Sequence, residues 1–410
     1  DAIEPGDWDD SYGGLIVSFH GDIAINNCSV NDNESEWLGV ITNYYGPISI
    51  TDSDFNNNTK LLTAYGSDVS ITNSIFTNNH NGLTVSEITV ENETIPSSLS
   101  VQGSQFQDNY HCTDSGWGEE CTGTAIFTVN ISSTLIGSST FDGNYQGLVA
   151  SGENNIGLIS DCTFENHIGI VDDWDGSVTG GNGIQLNTDS KIDIEDSFLE
   201  NNDGNGILLS NNATSDITST IINGNGGSGA YIIASTASFV DCSFDFNGTG
   251  AYNLSNGTIF DDCTFNNNIA NGLNSSNNSS VNISECDFNL NGSSGLSLIN
   301  GDMNEIEDSP GILITDCTFN NNGEHGISSN NSSPIISDCL LDANGGVGLY
   351  SINSSPDIDN STFLNNQNSG IASAGDGGLT INSCLFENNV GSNGGGINIT
   401  YSPNSAIINI

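Results

Sequence analysis

A buried-type residue recurs along this chain at a near-constant interval, with an asparagine three positions behind it. In ITDCTFNNNGEHGISSNNSSPIISDCLLDANGGVGLY the pattern occurs twice, as Phe319 with Asn322 and Leu341 with Asn344. Taken as register marks, Val30, Phe55, Phe76, Phe106, Phe141, Phe164, Phe198, Ile221, Phe244, Phe265, Phe288, Phe319, Leu341, Phe363 and Phe386 are separated by 25, 21, 30, 35, 23, 34, 23, 23, 21, 23, 31, 22, 22 and 23 residues. Ten spacings lie between 21 and 25 and four are longer by about one loop. A solenoid of fixed coil length with insertions at its corners behaves this way. Short stretches alternate apolar and polar, as at Ile312, Ile314, Cys317 and Phe319, which is the period of a strand. The pattern predicts an all-β parallel β-helix of about 15 coils, 21–25 residues each with corner insertions, its strands roughly 4.8 Å apart in three sheets around a narrow apolar core. It is read as one domain over 1–410, with 1–24 as N-terminal edge and first coil, 25–400 as regular coils and 401–410 as a last strand.

Two repeat positions carry a physical reading of their own. Asparagine follows the mark by three in thirteen of fifteen coils, with His167 and Gly224 as the exceptions. Asn tolerates left-handed backbone, and stacked amides bond from coil to coil, so the position predicts a corner ladder. Two residues before the mark stand eight of the ten Cys: Cys28, Cys162, Cys242, Cys263, Cys286, Cys317, Cys339 and Cys384. Their inward parity predicts a stack of small apolar thiols. Cys112 and Cys121 differ, flanking the insertion CTDSGWGEEC; a local disulfide closing that loop is expected, in keeping with an oxidising compartment.

Composition fits short strands and tight corners, with 61 Asn, 86 Ser plus Thr and 49 Gly against 7 Pro. Charge sharpens the picture. Fifty-one acidic residues face only Lys60 and Lys191, for a net charge of −49. Nucleic acid is excluded as a partner, since phosphate binding draws on Lys and Arg. Such acidity suits a salty or cation-rich extracellular medium, with Ca²⁺ as the candidate ion. No apolar run has the length of a membrane span, so no membrane insertion is expected. The chain begins at Asp1 without Met or a signal-like segment and reads as a processed or trimmed product, attached to a cell, if at all, through partners or precursor parts.

Loops on a rigid scaffold carry binding. The insertions at 110–122 and 168–182 leave the same corner in coils two apart, so they are expected to be neighbours. Trp117 lies in the first with Asp114, Glu119 and Glu120, and Trp174 in the second with Asp172, Asp173 and Asp175. Trp37 leaves that corner in an earlier coil, and Tyr110 and Tyr145 sit one residue past it. An aromatic edge of this kind suits a glycan or protein contact; its alternative is that these rings pin their own loops. DDWDG offers oxygen ligands for Ca²⁺ through Asp172, Asp173 and Asp175, as does DWDD through Asp7, Asp9 and Asp10. Nineteen N-x-S/T sequons occur, with Asn92, Asn130, Asn212 and Asn360 as glycosylation candidates.

FTNN at Phe76, FENN at Phe386 and GGGI at Gly394–Ile397 resemble the F-x-x-N and G-G-x-I repeats of polymorphic outer-membrane-type surface proteins, within the pectate-lyase-like superfamily of right-handed β-helices. The resemblance spans nearly the whole chain and implies a right-handed helix; a membrane-barrel domain is not present in the sequence. The superfamily holds lyases, glycosidases, adhesins and tailspikes. A lyase would use Ca²⁺ with an Arg or Lys base, yet there is no Arg, and Lys60 and Lys191 fall in distant coils. A glycosidase would need converging carboxylates, and no distinctive set is apparent. Neither end offers an amphipathic cap, and the chain runs out in strand-like Ala406–Ile410; either this is a piece of a longer protein or coils of two copies stack head to tail. The expectation is a non-catalytic extracellular or cell-surface subunit of a filament, layer or adhesin, self-assembling end to end. The alternative is a carbohydrate-active β-helix that binds or cleaves a glycan.

Overall fold

A stacked coil must return its backbone to the same place every turn, and the repeat supplies what that closure needs. The computed structural model describes residues 14–35, 39–114, 119–171, 178–277, 280–300, 311–400 and 406–409, with only the backbone at 114, 119 and 120. The chain divides into two compact units, Asp1–Ser215 and Asp216–Ile410. Each is an all-β parallel solenoid with eight strands in its first sheet, for about 16 turns in all. In the first unit the first sheet runs from Ile16–Phe19 to Ile207–Ser210, the second from Ile23–Asn26 to Lys191–Glu195 and the third from Ser29–Asn31 to Phe198–Glu200. In the second unit they run from Ser228–Ile233 to Ile397–Thr400, from Thr236–Val240 to Ala406–Asn409 and from Thr264–Asn266 to Leu385–Glu387.

The marks form the core column of the third sheet. Phe55, Phe76, Phe106, Phe141 and Phe164 pair in register, with successive ring centroids 5.1, 4.6, 4.9 and 4.4 Å apart. Phe244, Phe265, Phe288 and Phe319 continue the device in the second unit at 4.8, 4.6 and 4.8 Å. Burying such a ring is worth roughly 2–3 kcal/mol, and stacking adds about 1 kcal/mol per pair.

Two marks read from the sequence are off by one residue. Phe164 pairs with Leu199, which is fully buried, whereas Phe198 is 42% exposed. Likewise Ile222 is fully buried, and it is Ile221 that bridges outward-facing Ser243. With Leu199 and Ile222 as marks, the residues three behind become Asn202 and Asn225, both buried. Gly224 ceases to be an exception, and His167 alone interrupts the asparagines.

The left-handed backbone also sits elsewhere than expected. It belongs to the residue before each ladder asparagine, as at Asn57, Asn78 and Asn321, and to the residue three before each mark, as at Asp52, Asp262 and Asp338. These two corners explain the abundance of Asn, Asp and Gly there. The ladder amides do different work. Asn58 Nδ2 donates to Asn79 Oδ1 (2.9 Å) and back to Val30 O (3.0 Å), while the Asn58 N–H donates to the same Oδ1 (3.0 Å). The same three bonds recur at Asn79, Asn291, Asn322, Asn344 and Asn366. The buried amide is thereby satisfied, which is the condition for burying it at all.

The position of the cysteines is a second hydrogen-bonded ladder, shared with serine. The Ser53 N–H donates to Ser74 Oγ (3.2 Å), and Ser53 Oγ donates to Thr51 O (2.8 Å). Cys263 does the same, its N–H reaching Cys286 Sγ (3.4 Å) and its thiol Asp261 O (3.2 Å). Eight cysteines are free thiols, and all but Cys28 are buried. Burial pushes Cys162 up to about 11, so its thiol stays protonated. A glycine column closes the coil on the other side. A Cβ at Gly272 would lie 2.6 Å from Gly295 O and 2.9 Å from a ring carbon of Phe288, and Gly250, Gly295 and Gly348 meet the same crowding.

His167 tests this account. Its Nδ1 accepts the Asn144 N–H (3.2 Å) and its own N–H donates to Asn202 Oδ1 (3.1 Å), but its Nε2 is buried without a partner. Desolvation lowers it to about 3 from 6.5, so the folded chain holds it neutral. The unfolded chain takes up that proton first, and stability is therefore lost as pH falls from about 6.5 toward 3. His167→Asn should raise the unfolding free energy by about 1–2 kcal/mol at pH 7, and its advantage over the parent in thermal denaturation should widen toward pH 4. By the same logic Asn291→Ala should cost on the order of 3–5 kcal/mol, because it strands Phe265 O and the donors of Asn268 in the core; Asn389→Ala, at a half-exposed site, should cost much less in the same denaturation series.

Candidate contact edge at the paired hairpins

Among the described residues three of the longer coils lengthen by a hairpin. Strand His111–Asp114 pairs antiparallel with Glu119–Thr122, placing Cys112 opposite Cys121, and the two are joined in a disulfide. Gly169–Val171 pairs antiparallel with Val178–Gly180. Both leave just after the ladder position, behind Asn109 and His167, and strand Glu119–Thr122 lies beside Gly169–Val171. A third hairpin, Ile88–Val90 with Glu93–Ile95, departs from another corner.

The hairpin bases are built from aromatic and glycine contacts. His111 stacks on His80 of the preceding coil, centroids 4.1 Å apart; burial, then the neighbouring His111, lowers the pKa of His80. Tyr145 lies against Gly180, where a Cβ would fall 2.2 Å from the ring, and Tyr145 O accepts the Gly181 N–H (2.8 Å). Partial burial raises its phenol. Tyr145 therefore pins the second hairpin. The Tyr110 N–H turns back to Asp108 O (3.0 Å), and its side chain is half-buried. The Gly169 N–H donates to Asp203 Oδ2 (3.0 Å). Among the described residues of the second hairpin, paired Val171 and Val178 face outward, 59% and 43% exposed.

Trp37, Trp117 and Trp174 lie outside the described residues, as do Asp7, Asp9, Asp10, Asp172, Asp173 and Asp175. Among the described residues no group of three or more His, Cys, Asp or Glu is arranged to hold a metal ion. Asn92, Asn212 and Asn360 are exposed and Asn130 is half-buried, and all four have left-handed backbone. Asn360 already donates its amide to Asp338 Oδ1, whereas Asn92 sits in the hairpin turn between Val90 and Glu93.

Two outward rows were not singled out in the sequence. Phe19, Tyr44 and Tyr65 stack along the first sheet at 4.8 and 5.1 Å, and His20 stacks on Tyr45 at 4.6 Å. Their signal was there, because the intervals of 25 and 21 residues equal the local coil lengths. On the third sheet Asp142, Glu165 and Glu200 stand in register. Burial, then Asp142 and Glu200, raises Glu165, and burial raises Glu200. Like charges opposed across strands repel.

The family described as right handed beta helix region matches residues 182–309, 241–356 and 300–410, together covering 182–410. No curated protein matches the chain. Among solved structures, the periplasmic alginate epimerase AlgG is similar at 10% identity, over 89% of this chain and 77% of that one, with a TM-score of 0.43. The A-module of the mannuronan C-5 epimerase AlgE4 of Azotobacter vinelandii is similar at 13% identity, over 89% and 90%, with a TM-score of 0.43. The Dettilon tailspike protein is similar at 13% identity, over 84% and 62%, with a TM-score of 0.41. At these values nothing about this chain's chemistry follows from them.

The acidic row has a measurable consequence. A carboxyl whose folded pKa is raised binds its proton more tightly in the folded state, so it opposes folding as pH rises through the carboxylate range. Glu165→Gln should therefore unfold at a higher temperature than the parent at pH 7, and the difference should close below about pH 4.

Proposed function

The chain belongs to the right-handed β-helix family, and from that premise we propose that it serves as an extracellular structural subunit of a surface filament, layer or adhesin that joins end to end. One observation carries this reading. In each unit every described coil receives the next through in-register parallel strands, stacked rings and amide-ladder bonds, and a coil surface of this kind can receive a coil of another copy in the same way. A contact between unlike ends propagates as a fibre rather than closing as a dimer.

Repulsion between subunits of net charge −49 would be weakened by salt or Ca²⁺. The paired hairpins, standing off the coils, are free for a second contact. A glycan at that edge is the reading that gains if end-to-end joining fails.

The purified chain should form long fibres of uniform width by electron microscopy in 150 mM salt with Ca²⁺, and fewer after chelation at low salt. Single particles at every ionic strength and protein concentration would overturn the end-to-end role.

A further inference from the structure

One corner of the second unit turns apolar side chains outward. The residue two behind every mark has left-handed backbone, and the chain fills that place with Asn, Asp or Gly, as at Asn57, Asp108, Gly143 and Asn321, and once with Ala343. Phe246 and Leu290 break the rule, at φ of 61° and 59°. Left-handed backbone crowds Cβ against a carbonyl, and a bulky apolar side chain makes no local hydrogen bond there in compensation. Both side chains also stand in solvent, 63% and 57% exposed. Neither backbone preference nor burial within the chain accounts for them, and an outlier of this kind points to a use outside it.

Ile269 joins them from the coil between. It takes the place that the adjoining coils give to Gly248 and Gly292, and it is 78% exposed. The backbone under all three is held by the stack: the Phe246 N–H donates to Asn266 O (3.0 Å), the Ile269 N–H to Asn247 O (2.9 Å) and the Leu290 N–H to Asn320 O (3.0 Å). Three apolar side chains on successive coils, roughly 4.8 Å apart, thus project from a fixed corner. The corner is also uncharged. Segments 224–228, 246–250, 267–271 and 290–294 contain no ionisable residue, whereas the same corner of the first unit carries Asp32, Glu34 and Asp108. On the adjoining third sheet, Asp245 Oδ1 accepts Thr264 Oγ1 and the Asn266 N–H, and Asp287 Oδ1 accepts Thr318 Oγ1.

These features choose among partners. A cationic partner would be drawn to carboxylates, which this corner lacks. A second copy of the chain carries the same net charge of −49, and it can come close only through a surface without charge. The arrangement is also self-complementary, because Phe246 and Leu290 lie one coil to either side of Ile269. A two-fold axis at Ile269, perpendicular to the stack, brings Phe246 of each copy onto Leu290 of the other and sets the two Ile269 side chains face to face.

We propose that this corner is a side-by-side contact between two copies of the chain, with Phe246, Ile269 and Leu290 as its apolar centre. It goes beyond end-to-end joining and does not depend on it; where both operate, fibres associate in antiparallel pairs. A stable interface covers about 800 Å² on each partner, so the uncharged corner segments form the rim that keeps water from the centre. The side chains stand on fixed backbone, and little order is lost on contact. Repulsion between the remaining acids opposes the pair, which therefore tightens as salt screens them.

The test uses the full chain in sedimentation velocity over a range of concentrations, with electron microscopy of the same samples. The Phe246→Asn/Leu290→Asn chain should pair at least about tenfold more weakly than the parent, and pairing of the parent should be tighter in about 0.15 M salt than in about 0.01 M. At high dilution the double variant should melt no lower than the parent, since Asn tolerates the left-handed backbone, so a loss of pairing is not a loss of fold. In a Cys28→Ser background, which removes the exposed free thiol, Ile269→Cys should give a disulfide-linked dimer on mild oxidation. A parent that stays single at every concentration and salt, or a double variant that pairs as tightly as the parent, overturns the corner contact. Fibres that run singly in the parent, or pair equally in the double variant, overturn it while end-to-end joining stands. Discrete pairs without fibres, lost in the double variant, keep the corner contact while the end-to-end role falls.

Discussion

A primary amide has two N–H donors and an oxygen that can accept twice, and a coil stacked at strand spacing offers a place for each. In this chain a buried Asn takes the backbone and side-chain donors of one neighbour on its oxygen and gives its own to the neighbours on either side. The ring stack lies on one side of this column and the glycine column on the other, where Gly272 admits both the Phe288 ring and Asn291 Nδ2. Corner, core and coil length are thus mutually fixed. A coil of another length would displace the amide from its partners and strand buried polar groups, at a cost of about 1–3 kcal/mol for each. Three of the longer coils consequently put their extra residues outside the column, in hairpins.

That dependence explains what could be read from the sequence. The period, the fold class and the coil number were legible because a mark and its asparagine recur together. Register was misread at two places where apolar residues are adjacent, although at Ile221-Ile222 only Ile222 has an asparagine, Asn225, three behind it. In Ser197-Phe198-Leu199-Glu200-Asn201-Asn202 either apolar residue has an asparagine three behind it. The hydroxyl ladder decides, since Ser197 precedes Leu199 by two whereas Asp196 precedes Phe198 by two, but this required seeing serine and cysteine as one position. The contact edge was only partly legible. Insertion lengths placed two hairpins at one corner, yet Tyr145 spends its ring on Gly180, a use that depends on a glycine 35 residues away and leaves no local pattern.

Serine and cysteine divide this shared position unevenly. The first unit uses Ser53, Ser74, Ser104, Ser139 and Ser197 with Cys28 and Cys162, and the second uses Cys242, Cys263, Cys286, Cys317, Cys339 and Cys384 with Thr220 and Ser361. Both side chains donate to the carbonyl two residues before and accept the N–H of the preceding coil. The thiol is larger and less polar, so a run of cysteines adds apolar contact where the hydroxyl adds a stronger bond. The cysteines of the run are buried and bonded along the stack, so the run has a structural role.

The amide ladder also has a direction. Within each unit the backbone N–H and one Nδ2–H point toward the following coil, the other Nδ2–H turns back to a carbonyl of the preceding one, and the amide oxygens face the preceding coil. Dipoles aligned head to tail in this way add rather than cancel, as peptide dipoles do along an α-helix. Each column is consequently an electrically polarised thread with a donor-rich tip and an oxygen-rich tip, so the sense of the stack is written in a partial-charge gradient as well as in shape.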